Sequence, residues 1–266
     1  MAPGRELIRL VVPTKVRCPV TTLSTDDPMA IAVVTAIRTG DIPALRALLA
    51  QHPGLAGARI GDEGEDGVSR SLLHVVTDWP GHFPRGAETV AVLVGAGADV
   101  NARFRGPHEE TPLHWAASSN DVAVVDALLD AGADIEARGA VIAGGTALAD
   151  ATAFAQWDTA RRLVERGAYA NLFEAAAVGL LDRVAAFLAA ADPLAQDRVN
   201  DAFWAACHGG QIEVARLLLD NGADLDWLPA WEALTPLDAA LRSEAKEVVA
   251  WLSGLDARTS EQLRDA

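Results

Sequence analysis

One spacing recurs along this chain and restricts what it can become. Leu113 and Gly132, Leu148 and Gly167, and Phe203 and Gly222 each stand 19 residues apart. Within that interval lie two apolar patterns of helical period. The first is short and rich in small residues ("PLHWAASS", 112–119); the second carries Val122, Val125, Leu128 and Leu129 on one face. The closing Gly suits a helix C-terminus, where a left-handed backbone costs little without a Cβ. A two-helix unit of this size cannot bury its own apolar face, so neighbouring units must stack to make a core. The spacing therefore predicts an all-α solenoid.

Anchor positions at 33, 73, 113, 148, 172, 203 and 237 give about seven units, three of them degenerate (32–53, 172–193 and 235–254). The step from 148 to 172 is short: "YAN" (169–171) alone joins the fourth and fifth units. A kink is expected there. In the second unit Leu73 and Gly97 lie 24 residues apart, and the five extra residues fall in "TDWPGHFPRG" (77–86). Pro80 and Gly81 break the helix there and Pro84 stiffens the loop, so the insertion is expected to bulge outward without shifting the stack. Residues 1–27 lie outside the array as an N-terminal extension, with "ELIRLVV" as a strand or first turn and "TTLSTDDP" as a linker. The repeat domain is expected over 28–254, and 255–266 as a capping tail with a short polar helix.

The motifs "TPLHWAA" (111–117), "TPLDAA" (235–240), "GADVNA" (97–102), "GADIEA" (132–137) and "GADLD" (222–226) resemble the ankyrin repeat, and the resemblance extends over about residues 28 to 253. It implies helix-turn-helix units with short hairpin or loop fingers. It also implies a structural role for Thr111 with His114, and in weaker form for Ser71 with His74: the hydroxyl and the ring bond to backbone and tie adjacent units. Ala149, Trp204 and Asp238 stand where that His would be. Finally, it places the two residues after the first helix's Ala-Ala on the concave face. These are Arg38 and Thr39, Asp78 and Trp79, Ser118 and Ser119, Ala153 and Phe154, Ala177 and Val178, His208 and Gly209, and Arg242 and Ser243.

Composition narrows the function. Half the residues are hydrophobic, which argues against disorder, and no apolar run approaches the roughly 20 residues that a membrane span needs. The first residues lack a clean cleavage signal, so a secretory leader is not expected. Two cysteines, Cys18 and Cys207, are too few for a disulfide framework, and a reducing cytoplasm is expected. A net charge of −15 repels phosphate backbones and disfavours nucleic acid. His74, Asp78 and His82 have a helical metal spacing that Pro80 and Gly81 interrupt. "HEE" (108–110) reads as the end of a solvated finger, "DEGED" (62–66) as a solvated acidic loop, and "GAVIAGG" (139–145) lacks the Lys-Ser pair of a phosphate loop. No cofactor or metal is expected.

The leading expectation is a monomeric protein-interaction module that binds a protein partner through its concave groove and fingers. Arg38, Asp78, Trp79, His82, Phe83, Trp115, Ser118, Phe154, His208, Trp227 and Arg242 are its expected contacts. Trp weighs heavily among them, because partly exposed Trp residues often dominate binding energy. For Trp115 and Trp204, packing between helices is the first reading. The alternative is an enzyme or small-molecule binder. Its pocket would be lined by Asp78, Trp79, His82, Trp115 and Phe154, with His114 as a base; a deep closed pocket there would favour it and an open groove would not.

Overall fold

The computed structural model describes residues 21–62, 67–190 and 194–265. Cys18, "ELIRLVV" and all of "DEGED" except Asp62 lie outside the described residues. Fourteen of the helices form seven antiparallel pairs. Units one to three are α1 (Pro28–Thr39) with α2 (Ile42–Gln51), α3 (Leu72–Thr77) with α4 (Gly86–Gly95), and α5 (Pro112–Ser118) with α6 (Val122–Asp130). Units four and five are α7 (Ala147–Ala153) with α8 (Trp157–Glu165) and α9 (Leu172–Ala177) with α10 (Leu181–Leu188). Units six and seven are α11 (Gln196–His208) with α12 (Ile212–Asp220) and α13 (Pro236–Arg242) with α14 (Lys246–Ser253). α15 (Ser260–Arg264) follows.

Local chemistry sets the helix ends. The Asp27 carboxylate accepts the Met29 N–H at 2.7 Å, and Pro28 sits in the first turn of α1, where a missing N–H costs nothing. Asp121 caps α6 by accepting from Val124 N at 3.2 Å. The first helices pack in series from α1 to α13, and small side chains let them approach: Ala116, Ala151, Ala175, Ala205 and Ala240 are at most 1% exposed. The second helices contribute the larger ones, Leu45, Leu93, Leu128, Leu163, Leu218 and Leu252, all fully buried. Each such Leu contributes roughly 1.5–3 kcal/mol.

Two ties repeat from unit to unit. One runs through the first helices: His74 Nε2 meets the Glu110 carbonyl at 3.1 Å, and His114 Nε2 meets the Gly145 carbonyl at 3.4 Å. The opposite ring nitrogens face the cap hydroxyls, Ser71 at 2.8 Å and Thr111 at 2.9 Å. The other tie runs along the fingers. Asn101 accepts from Asp134 N at 2.8 Å, Glu136 from Tyr169 N at 2.7 Å, and Asp226 from Arg258 N at 2.8 Å. In each case an acceptor two residues after the finger Asp satisfies a backbone N–H of the next segment. No motif reading singled out this second tie.

A small sheet departs from an all-helical picture. β1 (Thr22–Leu23) pairs in parallel with β2 (Arg59–Gly61), and β2 pairs antiparallel with β3 (Ser69–Ser71). The end of the extension is thus attached to the first finger and is not a free linker. Arg59, 6% exposed, bonds the Ser69 hydroxyl at 2.8 Å and the Arg103 carbonyl at 2.9 Å, and burial lowers its guanidinium to about 10. At the other end, α15 is tied to α13, with Ser260 N donating to Asp238 at 2.7 Å.

The insertion between α3 and α4 is more tightly held than an outward bulge. His82 N donates to Asp121 at 3.0 Å and its ring meets the Ser119 carbonyl at 2.9 Å. Gly81 lies against Ser119, and the Pro84 carbonyl fills the place a Cβ on Gly40 would need. Gly40 holds φ at 65°, so its lack of a side chain serves both the turn and this contact. The loop braces unit two against both neighbours because its length lets it reach the turns of α1–α2 and α5–α6.

Candidate functional site

The expected concave residues fall into three groups. Trp79 is 82% exposed and Phe154 43% exposed, both open to the groove. Asp78 is occupied: Arg38 and Arg70 each reach its Oδ2 at 2.8 Å, and Arg38 also lies over the Phe83 ring at 5.8 Å. His82 and Phe83 belong to the brace just described. Ser118 donates its hydroxyl to the His114 carbonyl at 2.9 Å. Trp227 is half-buried, with Nε1 donating to Asp201 at 2.9 Å.

Two expectations need correction. His208 does not stand free in the groove: it is 4% exposed, set beside Trp157 and Trp204 with ring centroids 5.2 Å away in each case. Its helix, α11, is 13 residues long and packs closely on both α9 and α13, which closes over the ring. Nor does "HEE" end in solvent. Glu110 is 5% exposed, taking Trp115 Nε1 at 2.7 Å and lying 2.8 Å from His108 Nδ1. Phe104 stacks on His108, and Phe104 and His74 flank Trp115, so the finger folds back onto α5.

Behind Glu110 lies Asp150, fully buried on α7, its carboxyl oxygens shielded from water beside the Glu110 carboxylate and the Ile142 backbone. Burial first, and then the neighbouring Glu110 carboxylate, push the Asp150 carboxyl up to about 8. Burial likewise lowers His74 to about 3 and His208 to about 4, and raises the Cys207 thiol. These histidines are neutral spacers at neutral pH.

Concavity is concentrated over units four to six, where the sequence reading placed His208 and Arg242 but no pocket. A cavity of about 850 Å³ opens there between two fingers, residues 138–145 and residues 227–234. The segment 166–171 between α8 and α9 carries no hairpin, so that connection does not project between those fingers. The floor is Leu172, Phe173 and Trp204, with Ala149 and Ala153 of α7 along one side. Trp231, 55% exposed, stands at the mouth, edge-on to Phe173 and Trp204 at 5.9 and 6.2 Å. Arg242 lies over Trp204 at 5.5 Å and ion-pairs with Glu232. Trp204 is itself packing: 3% exposed, with Nε1 donating to the Leu234 carbonyl at 2.9 Å.

A second cleft, about 310 Å³, lies beside the insertion among Asp78, Trp79, Trp115, Ser118 and Phe154, and meets the first at Val141. It is shallow and open, with its aromatic rim in solvent. His114 is buried with both ring nitrogens engaged and is not positioned as a base. Among the described residues no three His, Cys, Asp or Glu side chains converge as a metal site, and no helix is long and apolar enough to cross a membrane.

The stacked helix pairs, the Thr-His ties and the projecting fingers define a repeat solenoid. A family model described as ankyrin repeats (3 copies) matches residues 73–174 and 172–262, and the chain belongs to that family. It is similar to an ankyrin repeat and KH domain-containing protein, CBG24701, of Caenorhabditis briggsae: 31% identical over 156 residues, covering 55% of this chain and 6% of that protein. It is also similar to palmitoyltransferase AKR1 of Kluyveromyces lactis: 56% identical over 46 residues, covering 17% of this chain and 6% of that protein. The chain thus spans only a small part of the length of these relatives.

Proposed function

We propose that this protein is an interaction module that seats a segment of a partner protein along its concave face. The observation that carries the reading is the continuity of the apolar groove. The cavity over units four to six and the cleft beside the insertion join at Val141. Trp79, Val141, Phe154 and Trp231 stand along that line, 82%, 52%, 43% and 55% exposed. Large side chains left in water on one face of a rigid scaffold mark a binding surface, because they lose solvent and little conformational freedom when covered. The solenoid supplies the rigidity, since its first helices are locked to one another through His74, His114 and Trp204.

Affinity capture with the intact chain tests this, run beside a Phe154→Ala/Trp231→Ala variant with an unchanged melting curve. The expected result is a protein retained by the parent and lost by the variant. Equal retention by both would sink the groove reading.

A further inference from the structure

The charges around the larger cavity are not evenly engaged. Each lining carboxylate already has a donor from the protein. Asp201 takes the Trp227 indole N–H at 2.9 Å, Glu232 is paired with Arg242, and Glu174 takes the Asn171 N–H at 2.9 Å in the cap of α9. The cations differ. Arg138, on one finger, and Arg198, on α11, are both exposed, and neither side chain has a hydrogen bond or ion pair among the described residues. The lining is formally balanced, Arg138, Arg198 and Arg242 against Glu174, Asp201 and Glu232, and the charged groups it leaves without a hydrogen-bonded partner among the described residues are the two guanidinium groups of Arg138 and Arg198 beside an apolar floor.

His208 supports that floor from beneath. Ser243 Oγ lies 2.6 Å from its Nδ1, and the ring is neutral because burial lowers it to about 4. With the serine hydroxyl donating to Nδ1, the ring proton sits on Nε2. That atom is buried, with the Thr152 and Ala153 carbonyls of α7 as the acceptors beside it. Thr152, Ala153 and His208 all line the cavity.

On the reading that the groove seats a partner segment, we infer that the cavity over units four to six selects an acidic peptide segment. An apolar or aromatic side chain rests on Phe173, Trp204 and Trp231, and adjacent Asp or Glu carboxylates meet Arg138 and Arg198. Guanidinium groups suit this role, since they pair with carboxylates in a fixed planar geometry. The chain's charge of −15 opposes an acidic partner at long range, so recognition comes from these short contacts and not from steering.

Selection from a displayed random-peptide library against the whole chain tests the inference. Trp231→Ala identifies the groove-dependent binders, and Arg138→Gln/Arg198→Gln reports on charge. The two arginines are exposed, and melting curves verify that the variants fold. The expected result is groove-dependent peptides pairing Asp or Glu with Phe, Leu or Trp, each weakened about tenfold or more by the double Gln variant. Groove-dependent peptides that are basic or neutral, or indifferent to the double Gln variant, would overturn the acidic-segment inference and leave the groove reading standing. An absence of any binder sensitive to Trp231→Ala would overturn both.

Discussion

Trp204 Nε1 donates to the Leu234 carbonyl at 2.9 Å, the residue immediately before Thr235 of the next unit. Glu110 and Gly145, the acceptors of His74 and His114, hold the same station before Thr111 and Thr146. Trp204 thus stands in the place of the His and performs its work with an indole N–H. Asp238 does so with reversed polarity, accepting Ser260 N from the segment that follows its own unit. At His74, His114, Trp204 and Asp238 a polar atom at this position reaches the next segment's backbone, whereas Ala149 in the fourth unit carries none.

Trp204→Phe keeps most of the apolar area and removes the donor. The Leu234 carbonyl then loses its partner at a packed junction, which costs about 1–3 kcal/mol. His114→Ala should cost a similar amount, with a cavity added. Urea unfolding midpoints measure both. A Trp204→Phe protein as stable as the parent would show that the indole serves only as bulk.

Asp150 gives the stability a pH signature. Its folded value, about 8, lies above the ordinary 3.8, so the native state holds the proton more tightly than the unfolded chain does. Its contribution is fully present below about pH 4 and is lost as pH rises through about 8. His74 works the other way. Its folded value, about 3, lies below the ordinary 6.5, so its contribution is present above that value and is lost as pH falls through about 3. Below about pH 6.5 the two slopes oppose each other, so the Asp150 decline stands alone between about pH 6.5 and 8, and Asp150→Asn should flatten it there. Denaturant midpoints across that range check it; a decline that persists in the variant would assign the effect to another group.

The repeat was legible because its 19-residue interval records a packing unit, and the helix pairs follow from it; the roles of Thr111 and His114 were implied by the resemblance of "TPLHWAA" to the ankyrin motif, and the tail helix was read from the polar "DARTSEQLRDA". The groove was legible only in part. Trp79 and Phe154 could be placed from position within the unit. Arg138, Arg198 and Trp231 could not, because they belong to different units and meet through the missing finger at 166–171. His208 was misplaced because α11 packs more closely than a generic first helix. Glu110 and Asp150 were missed since adjacency in the stack, 40 residues apart in sequence, brings them together.

The joint between units four and five should be the soft point. α7 and α9 touch least among the first-helix neighbours, and α8 makes little contact with α10. On its other side α8 is clamped, with Arg162 and Arg166 both on Asp126 at 2.8 and 2.6 Å. Since each unit is held by its neighbours, amide exchange should be faster in α9 and α10 than in α5, α6, α11 and α12. Uniform protection from residue 146 to residue 232 would count against this.

The insertion can be divided into a brace and an exposed aromatic. His82 and Pro84 hold the turns of units three and one, while Trp79 stands in water. Replacing residues 80–84 by a Gly-Ser link of equal length removes the His82 bonds, leaves part of the Asp121 carboxylate without its N–H, and adds chain entropy to the unfolded state. The cost should be about 1–3 kcal/mol, which for a chain of this size lowers the melting temperature by roughly 2–10 °C. Exchange should rise at Gly40 and Asn120–Asp121 and stay unchanged in units six and seven, because stacking transmits effects only to neighbours. Trp79→Ala, by contrast, should stay within about 0.5 kcal/mol of the parent, as surface changes usually do. Equal melting curves for the loop replacement and the parent would show that the contacts to Ser119, Asp121 and Gly40 carry no stability, and that the five extra residues serve binding alone.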